Sequence, residues 1–121
     1  MSDVSKVNLV INRGTTFRHK FIYKDEISGR VVDLTGYVAR MQARPDALSD
    51  IVLVELTTEN SGIVLGGRAG TISLYINDTS TSLLAWAKGV YDIELVSPLG
   101  EVFRAVYGSL TTSLEITRPV V

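Results

Sequence analysis

The stretch Gly89-Val90-Tyr91-Asp92-Ile93-Glu94-Leu95-Val96-Ser97-Pro98-Leu99-Gly100-Glu101-Val102-Phe103-Arg104-Ala105-Val106-Tyr107 decides the fold class. Tyr91, Ile93 and Leu95 fall on one side and Asp92 and Glu94 on the other, the two-residue repeat of a half-buried strand. Ser97-Pro98-Leu99-Gly100 supplies the turn, because proline presets φ and glycine accepts a positive one. Glu101 to Tyr107 then returns as the second arm of an antiparallel hairpin.

The same repeat extends outward in both directions. Beyond Gly108, which reads as a break, Leu110, Thr112, Leu114 and Ile116 alternate through a closing strand that Pro119 stops. On the N-terminal side, Ile72, Leu74 and Ile76 alternate with Thr71, Ser73 and Tyr75, and Ile63 to Leu65 and Ile51 to Leu56 read as shorter strands. Tyr37, Ala39, Met41 and Ala43 share one face of a strand whose other face holds Val38, Arg40, Gln42 and Arg44. Val7, Leu9 and Ile11 form another such row, as do Phe17, His19, Phe21 and Tyr23, the latter followed by a turn and a return through Val31 and Val32. One helical signal interrupts the pattern. Asp78 or Thr79 can cap a short helix near residues 79–88, with Gly89 just past its end and Leu83 and Trp86 plugging the core.

About eight short strands with frequent turns predict an all-β fold, an antiparallel β-sandwich of immunoglobulin-like or jelly-roll-like type, closing over Phe21, Met41, Leu74 and Ile93. With 121 residues the chain reads as a single domain, 1–121, with an N-terminal arm 1–5 and a C-terminal tail 117–121. Twelve Lys and Arg against thirteen Asp and Glu give no bulk field for nucleic acid or an anionic membrane. The absence of cysteine removes disulfides, thiolate nucleophiles and sulfur-ligated zinc. Met1 to Lys6 carries charge where a signal peptide would be apolar, so synthesis in the cytoplasm is expected.

The candidate chemistry is sparse. His19, the one histidine, sits between Phe17 and Phe21 and reads as a structural ring on an aromatic face rather than a triad base. Asp92 and Glu94 lie two residues apart on one strand face, a spacing of roughly 6.5 to 7 Å that touches the separation glycosidases use, but such a hydrolase also needs a long aromatic-lined groove, so the pair reads as a solvated sheet face. Gly66-Gly67-Arg68-Ala69-Gly70 lacks the Lys-Ser/Thr pair of a phosphate loop and is followed by a strand, so it reads as a glycine turn. Asp25, Glu26 and Asp33 do not follow the calcium-loop spacing. Arg40 and Arg44, near Arg18, Lys20 or Arg104 in some register, could form a basic stripe, which without interleaved aromatics reads as a solvated face or a protein interface rather than a nucleic-acid site. No catalytic, cofactor-binding or metal-ligating residue is expected, nor any nucleic-acid, membrane or small-molecule partner.

The order of the turn motifs carries a resemblance. Asn12-Arg13-Gly14-Thr15-Thr16-Phe17, a polar hairpin, and then Val32-Asp33-Leu34-Thr35-Gly36-Tyr37-Val38-Ala39-Arg40-Met41-Gln42 resemble the opening of small tailed-bacteriophage structural proteins. The second half is similar too, with Gly89 to Leu95, the Pro-Gly turn and Gly108-Ser109-Leu110-Thr111-Thr112-Ser113-Leu114-Glu115-Ile116-Thr117-Arg118. The relative named by this resemblance is the N-terminal domain of the upper baseplate protein family (BppU). Those proteins continue into helical and receptor-bearing regions, whereas this sequence stops at Val121, so receptor carriage does not follow.

The resemblance implies a non-enzymatic virion component of the tail, baseplate or neck, made in the host cytoplasm, oligomeric in the particle and in contact with other phage structural proteins. The alternatives are a capsid decoration protein and, from another class, a carbohydrate-binding module with an aromatic platform. Free sheet edges favour strand addition. The expected assembly residues are therefore the terminal ones: Met1, Ser2, Asp3, Val4 and Ser5, and Arg118, Pro119, Val120 and Val121.

Overall fold

The computed structural model describes residues 5–118. They form nine strands: β1 (Ser5–Lys6), β2 (Leu9–Asn12), β3 (Phe17–Ile22), β4 (Val38–Arg44), β5 (Val54–Thr57), β6 (Ile63–Leu65), β7 (Thr71–Ile76), β8 (Lys88–Val96) and β9 (Val102–Ser113). A six-stranded sheet runs β1-β9-β8-β4-β5, with β2 also on β9, and a three-stranded sheet runs β3-β7-β6. The chain is an all-β sandwich, as the alternation predicts.

Inward faces match the sequence pattern closely. Ala39, Met41 and Ala43 of β4, Ile72, Leu74 and Ile76 of β7, and Tyr91, Ile93 and Leu95 of β8 are buried together, and Phe21 on edge strand β3 is half-buried against them. Each buried branched or sulfur-bearing side chain stabilises the fold by roughly 1.5–3 kcal/mol, so this shared core outweighs any surface term. The hairpin β8–β9 pairs antiparallel from Lys88 with Thr111 to Val96 with Val102. A bulge between Ile93 and Glu94 turns both Ala105 and Val106 of β9 inward.

Several sequence expectations are corrected. The sandwich is not wholly antiparallel: β1 and β2 both pair parallel with β9, Ser5 opposite Val106 and Leu9 opposite Leu110. Alternation looks alike in parallel and antiparallel edge strands, so periodicity does not fix this direction. Gly108 does not break β9. Its missing side chain leaves room for the Val7 carbonyl, which a Cβ would overlap. That carbonyl accepts a hydrogen bond from Tyr91 Oη at 2.6 Å, and the Asn8 side chain accepts one from Ser109 N at 3.0 Å where the β1–β2 ladder lapses. Burial pushes the Tyr91 hydroxyl up to about 12.

The helix is shorter than 79–88 and begins earlier. It is α1 (Asp78–Ser82), capped by Asn77, whose side chain accepts from Ser80 N at 2.8 Å. Leu83 is 77% exposed and plugs nothing, whereas Leu84 and Trp86 pack against the core. Gly89 belongs to β8, where a Cβ would sit 2.7 Å from the Arg44 carbonyl oxygen. The return through Val31 shrinks to a single bridge with Lys24, the strand expected from Ile51 begins at Val54, and the closing strand ends at Ser113 rather than at Pro119.

Candidate protein-interaction surface

The outer face of the large sheet is built from the polar halves of β4, β8 and β9. Arg40 Nε donates to Glu94 Oε1 at 2.8 Å, and Arg104 Nε lies 3.4 Å from Asp92 Oδ2. Gln42 Nε2 donates to Glu55 at 2.7 Å, and Arg44 donates to Gln42 Oε1 at 2.7 Å and to the Ser49 carbonyl at 2.9 Å. These half-exposed pairs contribute at most about 1 kcal/mol each but leave a face of alternating sign. The expected basic stripe is therefore divided: Arg40, Arg44 and Arg104 lie here, interleaved with acids, while Arg18 and Lys20 lie on the small sheet.

Asp92 and Glu94 share this face as the spacing predicts, and an arginine answers each of them. Burial first, and the neighbouring Glu94 charge second, raise the Asp92 pKa, with Arg104 and Arg40 opposing them. A shallow groove of about 620 Å³ crosses the face between Lys6, Arg44, Lys88 and Arg104, with Asp46 and Asp92 also on its walls.

The small sheet presents Arg18, Lys20, Ile22, Val64, Ser73 and Tyr75 outward. The Arg18 guanidinium stands 4.6 Å from the Tyr75 ring centroid, and Arg104 covers Tyr107 at 4.5 Å on the opposite face of the sandwich. One face of each ring is thus already occupied by a cation. His19 leans on Phe21 with ring centroids 4.5 Å apart and makes no hydrogen bond or ion pair among the described residues. Gly67–Ala69 form a 3₁₀ turn closed by Gly70 at φ 65°, and Asp33 accepts from the Thr35 hydroxyl and amide at 2.6 and 2.9 Å, which lowers its pKa. Among the described residues, no three His, Asp or Glu side chains gather as metal ligands, and no helix is long and apolar enough to cross a membrane.

The two flanks differ. On one, β2 and β3 follow each other across a four-residue turn into different sheets; a cavity of about 540 Å³ lies between β3 and the β1–β9 pair, and one of about 310 Å³ lies between β2 and β3. Val7, Phe21, Tyr23 and Val106 line the first, and Leu9, Val10, Phe17 and His19 line the second. On the other flank, β5 and β6 are only four and three residues long, and Asn60 stitches their connecting loop. Its side chain accepts from Thr57 N and Gly62 N at 2.9 and 2.8 Å and donates to the Glu55 carbonyl at 3.1 Å.

The terminal residues fall into two groups. Ser5 is not a loose arm residue, because it pairs with Val106 in β1. Arg118 is exposed and donates from Nη1 to the Glu115 carbonyl at 2.6 Å. Met1, Ser2, Asp3, Val4, Pro119, Val120 and Val121 lie outside the described residues. The feature that sequence reading missed is the edge of β3, since which strand ends a sheet depends on long-range pairing that alternation does not encode. No protein-family model matches the chain, and no curated protein matches it.

Proposed function

We propose that the chain is a non-enzymatic structural component of a tailed-phage virion, at a tail, baseplate or neck station, that works through protein–protein assembly contacts. The resemblance of its turn motifs to the upper baseplate protein family suggests the setting, and the flank geometry supports the mode of action. The observation that carries it is the six-residue outer edge of β3, which pairs with no described strand, while the strands of the opposite flank are only four and three residues long and Asn60 stitches the loop between them. An open edge is a template for another chain, and soluble folds normally blunt it. A particle lattice holds many copies at high local concentration, so a small edge contact is sufficient there. The arginines over Tyr75 and Tyr107 work against a sugar-stacking platform and so against the carbohydrate-binding reading.

Gold-labelled antibody against the chain, applied to purified particles from a producing culture, tests this. Label at the tail, baseplate or neck is the expected result, label over the shell converts the reading to capsid decoration, and absence of the protein from purified particles overturns it. In the same assay, deleting residues 1–4 spares the Ser5 pairing with Val106 and is expected to lower incorporation, as a terminal arm in the interface requires.

A further inference from the structure

The β3 edge is a specific acceptor, and the chain carries a segment that matches it. Tyr23 N donates to Gly70 O at 2.8 Å, so along the β3–β7 register Phe17, His19, Phe21 and Tyr23 turn their backbone groups toward β7. The amides and carbonyls of Arg18, Lys20 and Ile22 point the other way, where no described strand pairs with them. Arg18 and Lys20 are the charged side chains of β3, and both are cationic.

Beyond β9 the sequence Leu114-Glu115-Ile116 keeps strand alternation but pairs with no described strand. Leu114 is 75% and Ile116 90% exposed, so both side chains are available to a neighbouring chain. The Glu115 side chain rests over Gly14, and the described hydrogen bond within this segment is that from Arg118 to the Glu115 carbonyl, so little holds it in place.

We infer that residues Leu114–Ile116 of a second copy of this chain add as a strand to the β3 edge, Glu115 opposite Lys20 and the two aliphatic side chains against His19 and Phe21. The inference rests on the assembly reading above and names its partner. Alternation matches on both sides: apolar faces the seam, and carboxylate meets ammonium on the outside. A segment adding to its own β3 is disfavoured by reach. Glu115 is two residues from the end of β9, about 7 Å of chain, whereas Lys20 is three residues into β3, about 10 Å past its start. Donor and acceptor are different surfaces, so contacts run head to tail and close into a ring or continue as a filament.

Light scattering of the full chain over rising concentration tests it. Concentration-dependent oligomers are expected, with Ile116→Asp and Lys20→Glu each weakening association by about tenfold or more at unchanged circular dichroism. Lys20→Glu combined with Glu115→Lys should restore it. Because the chain has no cysteine, Lys20→Cys and Glu115→Cys proteins can also be mixed and oxidised, and a disulfide joining position 20 of one copy to position 115 of another is expected. A wild type that stays monomeric, or mixed cysteine variants that form no such link, overturns the inference, as do oligomers indifferent to both single substitutions. Neither result touches the particle-labelling outcome, so the two readings fail separately.

Discussion

The flank built by β5 and β6 and the flank built by β2 and β3 meet the same difficulty, a sandwich whose two sheets both end in strands. At the first flank the strands are short, and Asn60 ties the loop between them to Glu55, Thr57 and Gly62. Ser61, between Asn60 and Gly62, is held at φ 66°, a left-handed conformation that a serine adopts only under such constraint. At the second flank, β2 is anchored to β9 while the outer edge of β3 pairs with no described strand. On the assembly reading proposed above, the blunted edge is the quiet one and the long edge is the one that would meet a partner.

The largest break in this comparison comes from Gly108→Ala. The new methyl overlaps the Val7 carbonyl, so β1 must lift from β9 and the Tyr91 hydrogen bond must yield. A loss of about 1–3 kcal/mol is expected in urea unfolding, with the open flank gaping wider. Asn60→Ala acts on the other side. It removes the side-chain hydrogen bonds with Thr57 N, Glu55 O and Gly62 N, for a loss of about 1 kcal/mol, and because it loosens the blunt flank it should raise non-specific association in light scattering. If association is unchanged, Asn60 is not what keeps that edge quiet.

The smallest effect is a control at neither flank. The folded-state pKa of Asp92 is raised, so its charged form is the disfavoured one, and the resulting penalty is present above the folded pKa. The penalty fades as pH falls through that value toward the unfolded one near 3.8. Asp92→Asn should therefore be neutral or slightly stabilising near pH 7, and its difference from wild type should vanish in acid, measured by melting temperature against pH.

What the sequence discloses is the faces of strands; what it hides is their neighbours. Met41, Leu74 and Ile93 are assigned inward by alternation alone, and all three are buried. The parallel pairing of Leu9 with Leu110 joins residues about a hundred positions apart, and no local pattern encodes it. Glycines mislead for a related reason. Gly89 and Gly108 look like punctuation, yet each sits inside a strand because another backbone, at Arg44 or Val7, comes too close for a side chain. Asn77, directly after β7, caps α1 in place of the expected Asp78 or Thr79. The outer-face ion pairs, Arg40 with Glu94 and Arg104 with Asp92, depend on register and emerge only when β4, β8 and β9 are laid side by side.

The parallel attachment of β1 and β2 to β9 also sets when the molecule becomes complete. Leu9 is among the earliest described residues to leave the ribosome, and Leu110 is among the latest. Until β9 emerges, β1 and β2 have no sheet to join, so the nascent chain exposes Leu9 and Ile11 for nearly the whole of its synthesis. Such non-local closure places folding in the millisecond-to-second range of β-rich topologies. Until that closure β2 is an apolar strand without its partner, a hazard during translation.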